Sequence, residues 1–238
     1  MSVTTYLLRH ATTAYSTKYQ VNGDPAVELP LDPAGRAACA AAREARRVAR
    51  PVIWLCSGFA RTSETAQLLM ADPGEALEVQ RRLDELDYGE FEGGPFLIYA
   101  HWLAANGPWM RPPGARESQR EGIRRMLVGL LLSTEQPSPR VVIAHGLLLS
   151  VLRWRRALPT SPSAEPMPIF FDEVRCLDLV LLDDEELRSL VQTLLNDLGA
   201  EEQAVAASGG WETREEVGLL LATFDAVPIQ LEETNPHA

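Results

Sequence analysis

The sequence predicts an α/β fold: a three-layer sandwich with a mostly parallel central sheet flanked by helices, plus a helical C-terminal extension. Three observations carry this expectation. Four short apolar runs, at 4–9, 52–56, 140–144 and 175–182, are each bounded by a turn or a helix and read as strands. Runs of helical length lie between them, and strand–helix alternation implies parallel pairing with both sheet faces covered. The chain has 238 residues, 46% of them hydrophobic, enough for one large domain with an appendage.

The first strand carries Tyr6-Leu7-Leu8 and ends on Arg9-His10. Asp32-Pro33 reads as an N-cap followed by proline at the first helical position, opening an Ala/Arg-rich helix to residue 49. The strand at 52–56 leads into a helix over 61–71. A helix over 117–133 sets Ile123, Met126, Leu127 and Leu130 on one face. The strand at 140–144 runs into His145 and a helix over 147–157. In open sheets of this kind ligands bind beyond the carboxyl ends of the strands. Both Arg9-His10 and His145 stand at such ends.

Residues 91–116 read as an irregular insertion, punctuated by Gly93-Gly94-Pro95 and Pro112-Pro113-Gly114. It holds Tyr99, His101, Trp102 and Trp109. A loop with aromatics over a site reads as a lid shaping substrate access, or equally as surface packing. The aromatics favour a substrate with a ring or apolar face. The expected division is a catalytic domain over 1–182 and an acidic helical extension over 183–238. In the extension, Leu187, Leu190, Val191, Leu194, Leu195 and Leu198 share one helical face. That face docks on the core or forms a homodimer contact. The run Asp183–Glu186 reads as a solvated helix start, and a last helix is expected over 212–224.

The net charge is −11, and from residue 183 onward thirteen acidic residues face only Arg188 and Arg214. Residues 1–182 are therefore neutral overall. An acidic tail speaks against nucleic acid or an anionic membrane as partner, without forbidding an anionic substrate in an arginine-lined cleft. The longest apolar run, 126–132, is too short to span a bilayer. Three cysteines at unrelated spacings (Cys39, Cys56, Cys176) fit neither a disulfide framework nor a zinc site. With no signal peptide in view, the expected setting is cytoplasmic.

The chemistry-bearing residues are Arg9, His10, Arg61 in SGFARTSETA, Glu85 in LDELDYGEFEG, and His145 in VVIAHG. A neutral imidazole attacks phosphorus well when its other nitrogen is held by a hydrogen bond. Arginine forks match the peripheral oxygens of a phosphoryl group, and a carboxylic acid can protonate the leaving alkoxide. The set describes phosphoryl transfer with no metal or other cofactor called for. Glu85 competes with Asp84, Asp87, Glu90 and Glu92 for the acid's role. A cysteine-phosphatase loop from Cys56 to Arg61 is rejected, because the spacing is one residue short and no histidine precedes Cys56.

In order along the chain, these pieces resemble the histidine phosphatase superfamily, in its phosphoglycerate-mutase-like branch. Arg9-His10 resembles the family's opening R-H-G, with Thr13 where Thr or Ser is usual. The stretches 19–36 and 57–66 resemble its "QG…D…PL…GR" and "S…RA…TA" segments. Residues 86–93 resemble its G-E-W-E-G stretch, and His145-Gly146 its second H-G. The resemblance covers about residues 3–182 and implies a phosphohistidine on His10. It implies phosphoryl binding by Arg9, Arg61 and His145, with Glu85 as proton donor and then general base. Thr13, Ser16 and Asn22 are expected to contact phosphate, and Tyr99, His101 and Trp102 to contact the substrate from the lid. Ala11 replaces the usual glycine, and its methyl is expected to crowd the phosphate or shift the loop. The implied activity is hydrolysis of a small phosphorylated metabolite. The rivals are a phosphomutase, which must exclude water, and an inactive interaction protein, for which Ala11 is the best support.

Overall fold

Strand β1 (Thr4–Arg9) pairs in parallel with β4 (Arg140–Ala144), and β4 pairs in parallel with β2 (Ile53–Cys56). Strand β3 (Ala76–Val79) extends the sheet beyond β2, again in parallel, while β5 (Leu179–Asp183) closes the other edge antiparallel to β1. The order is β3-β2-β4-β1-β5. This computed structural model describes residues 4–45, 51–71, 74–158 and 166–208. The expected helix at 212–224 lies outside the described residues, as do residues 46–49 of the expected first helix.

Alternation along the strands splits the interior into two cores, since successive side chains point to opposite sheet faces. Leu7, Leu55, Val142, Val180 and Leu182 face one side, where they meet helices α4 (Gln119–Ser133), α5 (Gly146–Ala157) and α6 (Asp184–Ser208). Leu8, Trp54, Cys56, Val141 and Ile143 face the other, against α1 (Pro33–Glu44) and α2 (Ala60–Leu69). The result is the expected three layers.

The local signals act as expected at several ends. Asp32 caps α1 through Gly35 N–H, with Pro33 at the first position. Ser118 and Glu121 form a reciprocal capping box at α4, so that helix starts at Gln119 rather than 117. The fourth expected strand starts late, at Leu179, because Leu177 takes a left-handed φ of 60° and ends regular pairing before it.

Three expectations are corrected. Residues 91–116 are not wholly irregular: they contain α3 (Phe96–Asn106), which buries Tyr99, Ala100, Leu103 and Ala104. Strand β3 has a mostly exposed pattern, so no apolar run marked it. The acidic start of α6 is not all solvated: Asp184 is buried and receives both terminal nitrogens of Arg140, at 2.6 and 3.0 Å. That fork ties α6 to β4. The apolar stripe of α6 packs within this chain, with Leu187, Val191, Leu194 and Leu198 fully buried in the cluster that holds Met126, Leu127 and Leu130 of α4.

Candidate active site

The register of β1 on β4 pairs Arg9 with Ala144. The next residue of each strand is a histidine, so His10 and His145 leave adjacent parallel strands together, ring centroids 5.3 Å apart and edge to face. β2 ends one strand away, and Ser57 and the α2 N-terminus carry Arg61 back over the same edge. β3 ends at Val79, and the turn that follows leads to Glu85. Four parallel strand ends thus each deliver part of one site.

His10 is 5% exposed. Its Nδ1 lies 2.7 Å from the Ala11 carbonyl, which can only accept, so Nδ1 carries the proton. Its Nε2 accepts from Nε of Arg61 at 3.2 Å, so the lone pair faces the guanidinium. Burial, then the charges of Arg61 and Arg9, hold its pKa well below the usual imidazole value. The other imidazole has the opposite arrangement. His145 Nδ1 accepts from Arg61 Nη2 at 3.2 Å, and its Nε2–H donates to Ser57 Oγ at 2.9 Å. Ser57 Oγ lies 2.9 Å from Thr62 Oγ1, which donates on to the Phe59 carbonyl.

Arg61 is the hub, buried against the Phe59 ring with its Cζ 4.2 Å from the ring centroid. Nη1 donates to Asn22 Oδ1 and Nη2 to the Asn22 carbonyl at 3.0 Å. Burial brings its pKa down to about 10, opposed by the nearby Glu85 carboxylate. Arg9 Nη1 donates to the Val174 carbonyl, while its Nε is buried with no partner. A buried donor left open beside a histidine fits an anion.

The five candidate acids separate by their partners. Asp84 accepts from Gly58 N, Asp87 binds Arg116 at 2.7 Å, and Glu92 accepts from Asn22 Nδ2 and Gly23 N, both at 2.7 Å. Glu90 is exposed and lies away from the cavity wall. Glu85 alone of the five lines the cavity, with Oε2 3.9 Å from His145 Nδ1. Burial raises its pKa above the ordinary carboxylate value.

A cavity of about 590 Å³ opens from this cluster. Of the expected contacts, Thr13, Ser16, Asn22 and Tyr99 line it, but Asn22 spends its carbonyl groups on Arg61. His101 and Trp102 do not line it, and Trp102 stacks on Tyr99 from behind, centroids 6.4 Å apart. Ala11 is fully buried beside Leu8, Leu31 and Cys39 on the far sheet face and has no positive φ. Its methyl therefore neither crowds the cavity nor strains the loop. Sequence reasoning missed Ser57, Gln119 and the wall at 169–174. The run Ile169-Phe170-Phe171 was a signal for the last, although it belongs to no helix or strand.

The fold is shared with solved structures. Mycobacterial glucosyl-3-phosphoglycerate phosphatase is 22% identical with a TM-score of 0.56, over 78% of this chain and 95% of that one. Its complex with VO3 gives a TM-score of 0.59 at 21% identity, over 76% and 93%. The α-ribazole phosphatase of Shigella flexneri gives 0.54 at 19% identity, over 66% and 81%. No curated protein sequence matches the chain. The sequence profile of the histidine phosphatase superfamily, branch 1, matches residues 5–169, from the strand that presents Arg9-His10 to the wall of the cavity. With that match over more than half of its length, the chain belongs to the histidine phosphatase superfamily.

Proposed function

We propose that the protein hydrolyses a phosphomonoester through a phosphohistidine on His10. The observation that carries this is the pair of contacts on His10, which protonate Nδ1 and leave the Nε2 lone pair toward Arg61 and the cavity. Nε2 attacks phosphorus and the ester P–O bond breaks. Arg61 shifts its donors from the histidines to the phosphoryl oxygens, and the open Nε of Arg9 takes another. Glu85, whose protonated form burial favours, gives its proton to the departing oxygen. The resulting carboxylate then takes a proton from water, whose oxygen attacks phosphorus. Phosphate leaves and His10 regains its neutral form. These side chains fill every role in the cycle.

Two observations favour this over the rivals. A cavity of this size with exposed Tyr19 and Phe96 at its mouth gives water a path, which suits hydrolysis better than mutase transfer. Ala11 packs away from the cavity, which removes the main argument for an inactive protein. The two neighbours named as phosphatases are in keeping with the reading. The test is phosphate release from a panel of phosphomonoesters with chelator present, wild type against His10→Ala. Release by the wild type, lost in the folded variant, with an acid-labile phosphoryl adduct on His10 after quenching, is expected. Release that survives His10→Ala would sink the proposal.

A further inference from the structure

We propose that the cavity selects phosphomonoesters whose organic part is bulky and apolar and carries no second anionic group. This rests on the reading of the His10 end as the phosphoryl site. The cavity as a whole, about 590 Å³, is far more than a phosphoryl and a glyceryl-sized group together fill, and lies in the range that encloses drug-sized ligands. Its walls are largely apolar, with Val21, Tyr99, Leu147, Ile169, Phe170 and Phe171 among the lining residues. At the mouth stand Tyr19 and Phe96, 66% and 41% exposed, joined by Phe96 N–H to the Tyr19 carbonyl at 2.7 Å. Tyr19 holds a left-handed φ of 53°, an unfavourable backbone for a bulky residue. Exposed aromatics gathered at a cavity mouth mark a surface that a ligand covers.

Charge and hydrogen bonding point the same way. Among the described residues, Arg9 and Arg61 are the only lysine or arginine side chains lining the cavity, and both sit at the His10 end. The other charged lining groups beyond Glu85 are Asp172 and Glu173, both exposed. A second phosphate or a carboxylate on the substrate would meet these acids, and the one cation near them, Arg9, with Nη1 3.9 Å from Glu173, is already committed to the phosphoryl end. Three side-chain donors that a sugar could use are already engaged. Gln20 donates to the Gly93 carbonyl at 2.9 Å, Gln119 to the Ile169 carbonyl at 2.8 Å, and Ser150 to the Asp172 carbonyl at 2.8 Å. A polyhydroxyl group would lose its hydration over apolar walls with these amide and serine donors unable to replace it, which disfavours it against an apolar group.

Two readouts on the full chain test this. Calorimetry measures binding of unreactive butyl-, hexyl- and octylphosphonate, and phosphate release is followed from the matching alkyl phosphates, whose leaving groups are alike. Affinity and kcat/KM are expected to rise about three- to fourfold per methylene. A terminal carboxylate on the octyl chain is expected to weaken binding by about tenfold or more. Phe96→Ser, at the exposed mouth, and Phe171→Ala, in the wall, are expected to flatten the chain-length slope. Affinity that does not vary with chain length, or that tolerates the carboxylate, overturns the substrate class whether or not phosphate is released. Chain-length-dependent binding with no release upholds the substrate class and overturns hydrolysis instead.

Discussion

At His10 the proton sits on Nδ1, while at His145 it sits on Nε2, and one guanidinium enforces both choices by donating to the free nitrogen of each ring. Both imidazoles are neutral because burial, more than any neighbour, depresses their pKa. Burial acts on Glu85 in the opposite direction and favours its protonated form. The nucleophile is lost only when pH falls below the lowered His10 pKa, and the acid only when pH rises above the raised Glu85 pKa. A bell-shaped kcat/KM profile is expected, its acid limb below the usual imidazole range and its alkaline limb set by Glu85. Glu85→Gln should remove the alkaline limb and lower kcat on alkyl phosphates by about 10²–10⁴-fold. On 4-nitrophenyl phosphate, whose leaving group needs no proton, the same variant should show a burst of nitrophenol and accumulate phosphohistidine, because water then lacks its base. An unchanged alkaline limb, or no burst, would remove Glu85 from the role. Arg9, His10, Arg61, Glu85 and His145 were legible in the sequence because each sits in an ordered motif. Ser57 sat inside one of those motifs, but its part is a side-chain contact to a residue far along the chain, which no local pattern encodes.

The wall formed by residues 169–174 belongs to no helix or strand, so its position has to come from elsewhere. Gln119 and Arg120, at the start of α4, fix its beginning, while Ser150 and Arg9 hold the Asp172 and Val174 carbonyls further on. Gln119 donates to the Ile169 carbonyl, and the fully buried Arg120 donates to the Met167 carbonyl at 2.7 Å and to Glu201 of α6 at 3.0 and 3.3 Å. Helix α6 thereby helps to hold one side of the substrate chamber through the Arg120 guanidinium. Glu201→Ala leaves that cation buried without its counter-charge, which should destabilise the fold by about 3–5 kcal/mol. In the fraction that stays folded, the wall loosens, so KM for long-chain substrates should rise while the chemistry at His10 keeps its rate. Denaturant titration reads the first effect and the split between KM and kcat the second. A variant with wild-type stability and KM would show that α6 has no hand in the wall. The sequence announced α6 through its leucine spacing and α4 through its apolar face, since both are periodic. It gave no sign of the clamp, because buried arginines look like surface ones until the layers are stacked, and α3 was hidden behind the glycines and prolines on either side of it.

On the scale of the whole molecule, the site conflicts with stability in acid. Unfolded, His10 and His145 titrate near 6.5; folded, each does so well below that. Below pH 6.5 the unfolded chain therefore binds more protons than the native one, and stability falls with pH until the folded pKa values are reached. Each histidine contributes a slope of at most about 1.4 kcal/mol per pH unit. Glu85 works against them: its folded pKa is raised, so its contribution is present at low pH and is lost as pH rises through that value. Carboxylates held in ion pairs enter only in stronger acid, as with Glu121, which Arg111 pulls down to about 2. The window just below pH 6.5 thus reports the two histidines, less whatever Glu85 subtracts from them. Urea titrations at pH 7, 6 and 5 should show stability falling toward acid, and His145→Gln should reduce that slope by up to about 1.4 kcal/mol per pH unit. In the His145→Gln, Glu85→Gln double variant, which lacks both the second imidazole and the opposing carboxyl, equal stability at pH 7 and pH 5 would mean that His10 is charged in the folded state. His10 would then not be the neutral nucleophile that the proposed mechanism requires.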